Sequence, residues 1–171
     1  MMKTWQEILS AIVKNKKTDL FPLSVFTVSE SKTAKWPEEL PCSNTILEFY
    51  KLCNGGYINH FNWISIEEIY SQNLTWHEET KGYYPNGRDA FGKEHLVLAF
   101  DPTGAPLVWN SISDLMATFW FEGGDWEPLN KTIEQYLQYL FIDYQPETPN
   151  DLWYEALQQI STENRASTHR P

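Results

Sequence analysis

The sequence predicts an α+β fold: a central antiparallel sheet, laid out as a meander and flanked by helices. Three segments fit the capping box that closes a helix start, Thr4-Trp5-Gln6-Glu7, Ser65-Ile66-Glu67-Glu68 and Thr132-Ile133-Glu134-Gln135. Behind the first, Trp5, Ile8, Leu9 and Ile12 recur at helical spacing. Behind the third, Ile133, Tyr136, Leu137, Leu140, Phe141 and Tyr144 do the same. Between the helical stretches lie apolar runs joined by tight turns, which suit consecutive strands. One-sided helices and apolar strands can bury their faces only against each other.

Taken along the chain, the first helix begins at Thr4, and Val25–Val28 supplies an edge strand. The stretch Leu40–Ile58 opens with Leu-Pro into a short helix with its apolar face at Ile46, Phe49, Tyr50 and Cys53. That helix is expected to stop at Asn54-Gly55-Gly56, where a left-handed backbone costs little, with a strand beginning at Tyr57. Another helix follows Ser65. Gln72–Phe91 shows no clear period and reads as a long loop. Leu96–Phe100 is almost continuously apolar, as a central strand would be. Asp101-Pro102-Thr103-Gly104 suits a type I turn, with Ala105–Trp109 and Met116–Phe121 as the next two strands. After the Thr132 helix, Gln145–Asn150 is a proline-bearing linker into a short amphipathic helix, Asp151–Ile160. The expected organisation is one α+β domain over residues 1–144, the linker and helix over 145–160, and a disordered tail over 161–171.

A chain of 171 residues suits a single core, burying about 70% of the surface its unfolded form exposes. Eight tryptophans exceed what such a core needs, so one or two belong on a recognition surface. No apolar run approaches the roughly 18 residues that span a bilayer, and Gln6 and Glu7 interrupt any signal-peptide pattern. With only Cys42 and Cys53, no disulfide framework is implied, and a cytoplasmic location is expected. The net charge of −10 is uneven. Residues 1–60 carry 6 acids against 7 bases, whereas residues 101–160 carry 10 acids against Lys131 alone. Such a surface either serves solubility or faces a cationic partner, and it disfavours direct nucleic-acid binding, which needs a basic patch.

Catalytic and metal motifs fail one by one. His77-Glu78-Glu79-Thr80-Lys81 has a lysine where the zinc-protease helix needs its second histidine. Cys53 reads as a buried thiol, Cys42 lacks a basic or histidine neighbour, and the glycine pairs lack the Lys-Ser/Thr of a phosphate loop. No catalytic residue, metal or cofactor is therefore expected. The acid-rich stretch Glu122-Gly123-Gly124-Asp125-Trp126-Glu127 reads as a glycine turn displaying carboxylates and an indole. Glu122, Asp125, Trp126 and Glu127, together with Glu78 and Glu79, are the candidate partner-binding residues. The alternative for Trp126 is an indole folded back on the core.

The order helix, Asn54-Gly55-Gly56, strand, helix at Ser65 and hairpin LVLAF-DPTG-APLVW resembles the SUKH superfamily over about Trp5–Tyr144. That superfamily includes yeast cell-wall-assembly regulators and bacterial immunity proteins. The resemblance implies a non-enzymatic immunity protein that neutralises a cognate toxin domain. That toxin is expected to be cationic and to act on nucleic acid. A regulatory or scaffold domain for endogenous partners is the other class. A monomer or weak dimer is expected.

Overall fold

The computed structural model describes residues 4–14, 26–30 and 34–168, with the backbone alone at 26–30 and 162–168. Its centre is a seven-stranded, wholly antiparallel meander whose spatial order equals its sequence order. The strands are β1 (Phe26–Glu30), β2 (Cys53–Ile58), β3 (Phe61–Trp63), β4 (His95–Phe100), β5 (Pro106–Asn110), β6 (Leu115–Trp120) and β7 (Asp125–Thr132). The helices are α1 (Trp5–Lys14), α2 (Asn44–Leu52), α3 (Ile69–Glu79), α4 (Ile133–Gln138) and α5 (Leu152–Thr168), with a π-helical turn at Tyr139–Asp143. The three strands expected around the Asp101 turn are present and antiparallel. The expected edge strand corresponds to β1, although Val25 lies outside the described residues.

Helices cover both faces of the sheet. Trp63 of β3 stacks near Phe49 of α2, with ring centroids 4.6 Å apart, and pairs across the strands with Ala99. The next residue, Phe100, points to the opposite face, where it meets Trp76 of α3 at 5.7 Å. One face therefore carries α1, α2, α4 and α5, and the other carries α3. Glu134 ties the first of these layers together, accepting from the Trp5 indole at 2.9 Å and the Thr45 hydroxyl at 3.0 Å.

Two of the three expected capping boxes form. Thr4 and Glu7 exchange hydrogen bonds of 3.2 and 3.3 Å, and Thr132 and Gln135 do so at 3.1 and 3.0 Å. The Ser65 box does not form. Asn54, buried beside it, accepts the Ile66 amide at 2.9 Å and donates to Glu67 at 2.8 Å. Those bonds hold Ile66–Glu68 in a turn, and α3 starts at Ile69. It then continues to Glu79, so the first part of the expected Gln72–Phe91 loop is helix.

The α2–β2 junction also differs from expectation. The helix ends at Leu52 and the strand starts at once with Cys53, so Asn54, Gly55 and Gly56 lie inside β2. Gly55 has φ +77° and sits at a bulge, because β1 advances two residues from Val28 to Glu30 while β2 spans three from Cys53 to Gly56. At the other end of β2, Asn59 and His60 both have positive φ, which matches the two-residue hairpin into β3.

The C-terminal segment belongs to the domain. Asp151 caps α5 by accepting the Tyr154 amide at 2.9 Å and also accepts the Tyr144 hydroxyl at 2.8 Å. Trp153 is fully buried and donates to the Leu140 carbonyl at 2.9 Å, within the π-helical turn. The helix extends past the expected end at Ile160 to Thr168, and 169–171 lie outside the described residues.

A Cβ at Gly55 would lie 2.6 Å from the Trp63 carbonyl oxygen and 2.8 Å from that of Ile64, both backbone atoms that cannot swing away. Gly55→Val is expected to cost more than about 2 kcal/mol, from the left-handed backbone and the overlap together. Gly104→Ala, at φ +89° with open space around it, should cost about 1 kcal/mol. Urea unfolding of the two variants checks this, and equal midpoints would contradict the close approach.

Candidate functional site at the β6–β7 tip

Asn73 is the residue that sets the position of α3. It is 1% exposed, and its side chain bonds both the N–H (2.8 Å) and the C=O (2.9 Å) of Val97 in β4, as well as the Ile69 carbonyl (2.9 Å). This fixes Trp76 one turn further on, where its ring contacts Phe91, Phe100 and Phe121. Thr80, also 1% exposed, ends the helix by donating to the Trp76 carbonyl at 2.9 Å. The chain then turns through Gly82, whose amide is taken by Asp89 at 2.7 Å, and presents Tyr83 and Tyr84 to the β6–β7 turn.

Those two tyrosines pin the turn. The Tyr84 hydroxyl donates to the Gly124 carbonyl at 3.1 Å, and the Tyr83 hydroxyl donates to the Phe121 carbonyl. Gly124 has φ +65°, and a Cβ there would come within 2.8 Å of the Tyr83 ring. The backbone of the tip is thus held from outside the hairpin as well as by its own Gly124–Trp120 bond of 2.8 Å.

The structure brings Glu122, Asp125 and Glu127 together at this tip, all exposed. Asp125 lies opposite Trp120 and Glu127 opposite Thr118, so both carboxylates share a face with the Trp120 indole. Glu127 accepts from that indole at 3.1 Å. Glu78 and Glu79 sit on the last turn of α3, two and three residues past Trp76, whose ring reaches Phe121. Glu78 is paired with Lys81 at 3.4 Å, both exposed. Glu79 edges an open groove of about 470 Å³ between α3 and the β4–β5 turn, floored by Trp76 and Phe100.

Trp126 takes the position that the sequence left as the alternative. It is half-buried, stacked on His95 at 4.6 Å and packed on Phe91 and Phe119 at 4.7 and 5.0 Å. Of the eight tryptophans only Trp120 is exposed, at 48%, and Phe121 beside it is 50% exposed. Sequence reading missed both as surface residues. The available signal was strand alternation: Phe119 faces inward, so Trp120 must face the other way.

Among the described residues no three His, Cys, Asp or Glu side chains come close enough to hold a metal ion. Burial pushes the Cys53 thiol up to about 12, so at neutral pH it stays protonated and unreactive. No described helix is long and apolar enough to cross a membrane. No family model matches the chain, nor does any curated protein or solved structure compared with it.

His95 links the tip to the core. Its Nδ1 accepts the Gly92 amide at 2.8 Å, which places the proton of the neutral ring on Nε2. Burial lowers its pKa, against an opposing pull from Glu94 and with a smaller push from His77. In the unfolded chain the ring takes up a proton near pH 6.5, whereas in the fold it resists doing so. Stability is therefore full above that value and falls as pH drops through it, levelling off only below the folded pKa. Denaturant midpoints at pH 7.5 and 5.5 should show a loss that is reduced in His95→Gln. An equal loss in both proteins would place the pH dependence elsewhere.

Proposed function

We propose that the chain is a cytoplasmic immunity protein that binds and neutralises a cationic toxin domain through the β6–β7 tip. The observation that carries this reading is the pairing of two half-exposed rings, Trp120 and Phe121, with the exposed carboxylates of Glu122, Asp125 and Glu127 on a backbone pinned by Tyr83 and Tyr84. A held backbone loses little freedom on binding, so more of the contact energy appears as affinity. Rings surrounded by charge of one sign suit a basic protein surface. The carboxylates speed encounter, and the rings give up water in the complex. The resemblance of the sequence to the SUKH superfamily supports the toxin-neutralising role, and the acidity argues against direct contact with nucleic acid.

The test takes as partner the product of any toxin gene found directly upstream of the gene for this chain, and absence of such a gene would itself count against the reading. Glu122→Lys combined with Asp125→Lys should slow association, and raising salt from roughly 50 to 500 mM should slow the unmodified protein likewise, as the Debye length falls below about 10 Å. Trp120→Ala and Phe121→Ala should act mainly on dissociation, with the better-buried ring costing about 2–4 kcal/mol. Unchanged rates in all variants, with circular dichroism intact, would move the interface off this tip.

A further inference from the structure

We propose that Asn86 is a site of spontaneous deamidation, set apart by the fold from the chain's other Asn-Gly pair. Asn54-Gly55 and Asn86-Gly87 are the two such pairs in the sequence. This dipeptide is prone to ring closure because glycine offers no side chain to block attack by its nitrogen. The inference concerns the loop beside the tip and does not depend on what the tip binds.

The two pairs sit in opposite environments. Asn54 is 4% exposed, with its oxygen held by the Ile66 amide and its nitrogen by Glu67, and Gly55 is wedged against the Trp63 and Ile64 carbonyls. Neither Asn54 nor Gly55 can turn without breaking the β2–α3 junction. Asn86 is exposed, and a Cβ on Gly87 would meet nothing within 4 Å. The Arg88 amide donates to Asn86 Oδ1 at 3.1 Å, closing a ring of atoms that spans the Gly87 nitrogen and withdrawing electrons from Cγ. One bond opposes reaction, from the Gly87 amide to the Tyr84 carbonyl at 2.8 Å, and it lies in an exposed turn where local opening is easy.

In the step itself, the Gly87 nitrogen loses its proton to solvent and attacks Asn86 Cγ. The N–Cγ bond forms, the Cγ–Nδ2 bond breaks, and ammonia leaves with a proton from solvent. Water then opens the succinimide at either carbonyl, giving aspartate or the β-linked isoaspartate, with no change of oxidation state. Each product adds one negative charge, and the β-linked form also adds a methylene to the main chain. That change falls inside the turn closed by the Tyr84–Arg88 backbone bond of 3.1 Å, whose Tyr84 hydroxyl holds the Gly124 carbonyl. It therefore alters the strap on the β6–β7 tip.

The experiment incubates the native full chain at mildly alkaline pH and maps the peptides by mass spectrometry over time. The Asn86 peptide should gain the mass of an amide-to-acid conversion and split into aspartate and isoaspartate forms. Asn54 should convert at least about tenfold more slowly in the folded protein, and the two rates should converge in urea. In Asn86→Gln the fast conversion should vanish from that peptide. Conversion of Asn86 no faster than that of Asn54 in the folded chain would overturn the proposal. So would a fast conversion that persists in Asn86→Gln.

Discussion

The fold turns on one close approach, that of Asn54 and Gly55 to the segment Trp63–Glu67. Gly55 lies against the Trp63 and Ile64 carbonyls, Tyr50 donates to the Ile64 carbonyl at 2.6 Å, and Asn54 holds Ile66 and Glu67. Three parts of the molecule meet there: α2, the β2–β3 hairpin and the lead into α3. A side chain at position 55 would force them apart. Without the Asn54 carboxamide, the buried Ile66 amide would lose its partner, at a cost of about 1–3 kcal/mol. The strand register on one side and the start of α3 on the other are therefore set by the same few atoms.

From that junction the geometry passes outward through polar residues turned inward. Asn73 acts as an extra partner to β4, bonding both backbone groups of Val97 where an edge would otherwise leave them to solvent or to another strand. Thr80 stops the helix, and Tyr83 and Tyr84 carry the constraint across to the tip. Each step is a directional bond, buried at Asn73, part-buried at Thr80 and Tyr84 and exposed at Tyr83, so little positional error accumulates between the core and the exposed rings. Packing alone would allow α3 to slide along the sheet. The carboxamide of Asn73 does not.

This explains what the sequence could and could not reveal. The apolar face of α1, that of α4 and the strands β4 to β6 were legible because their buried positions are filled by Ile, Leu, Val, Phe and Trp at helix or strand period. A helix after Ser65 was legible, but its continuation past Gln72 was not, since the inward stripe of α3 reads Ile69, Asn73, Trp76 and Thr80, and two of those four are polar. Strand β7 escaped for another reason. Pro128 interrupts it, and two extra residues bulge between its pairings at Pro128 and Thr132, around Asn130 at φ +56°, so no alternation survives. Losing β7 turned a strand start into an apparent display loop, which in turn promoted Trp126 over Trp120. The acids at the tip were legible from composition; which ring accompanied them was a matter of register.

The same register divides the two rings between the sheet's faces. Trp120, on the face of Asp125 and Glu127, is steadied by the Glu127 carboxylate, whereas Phe121 leans on Trp76 and Tyr83 on the side of α3. A hairpin end normally shows one apolar side and hides the other. Here both stay half-open, since the loop after α3 reaches the tip through Tyr83 and Tyr84 yet leaves Phe121 50% exposed, and Trp120 on the other face is 48% exposed. An approaching surface can therefore straddle the hairpin, with the acids along the Trp120 side and the Trp76–Phe100 groove opening beyond Phe121. Pro128 and the β7 bulge discourage another strand from extending the sheet at this edge. If the tip binds as proposed, its partner would meet side chains and not a free strand edge, and would be selected by charge and shape.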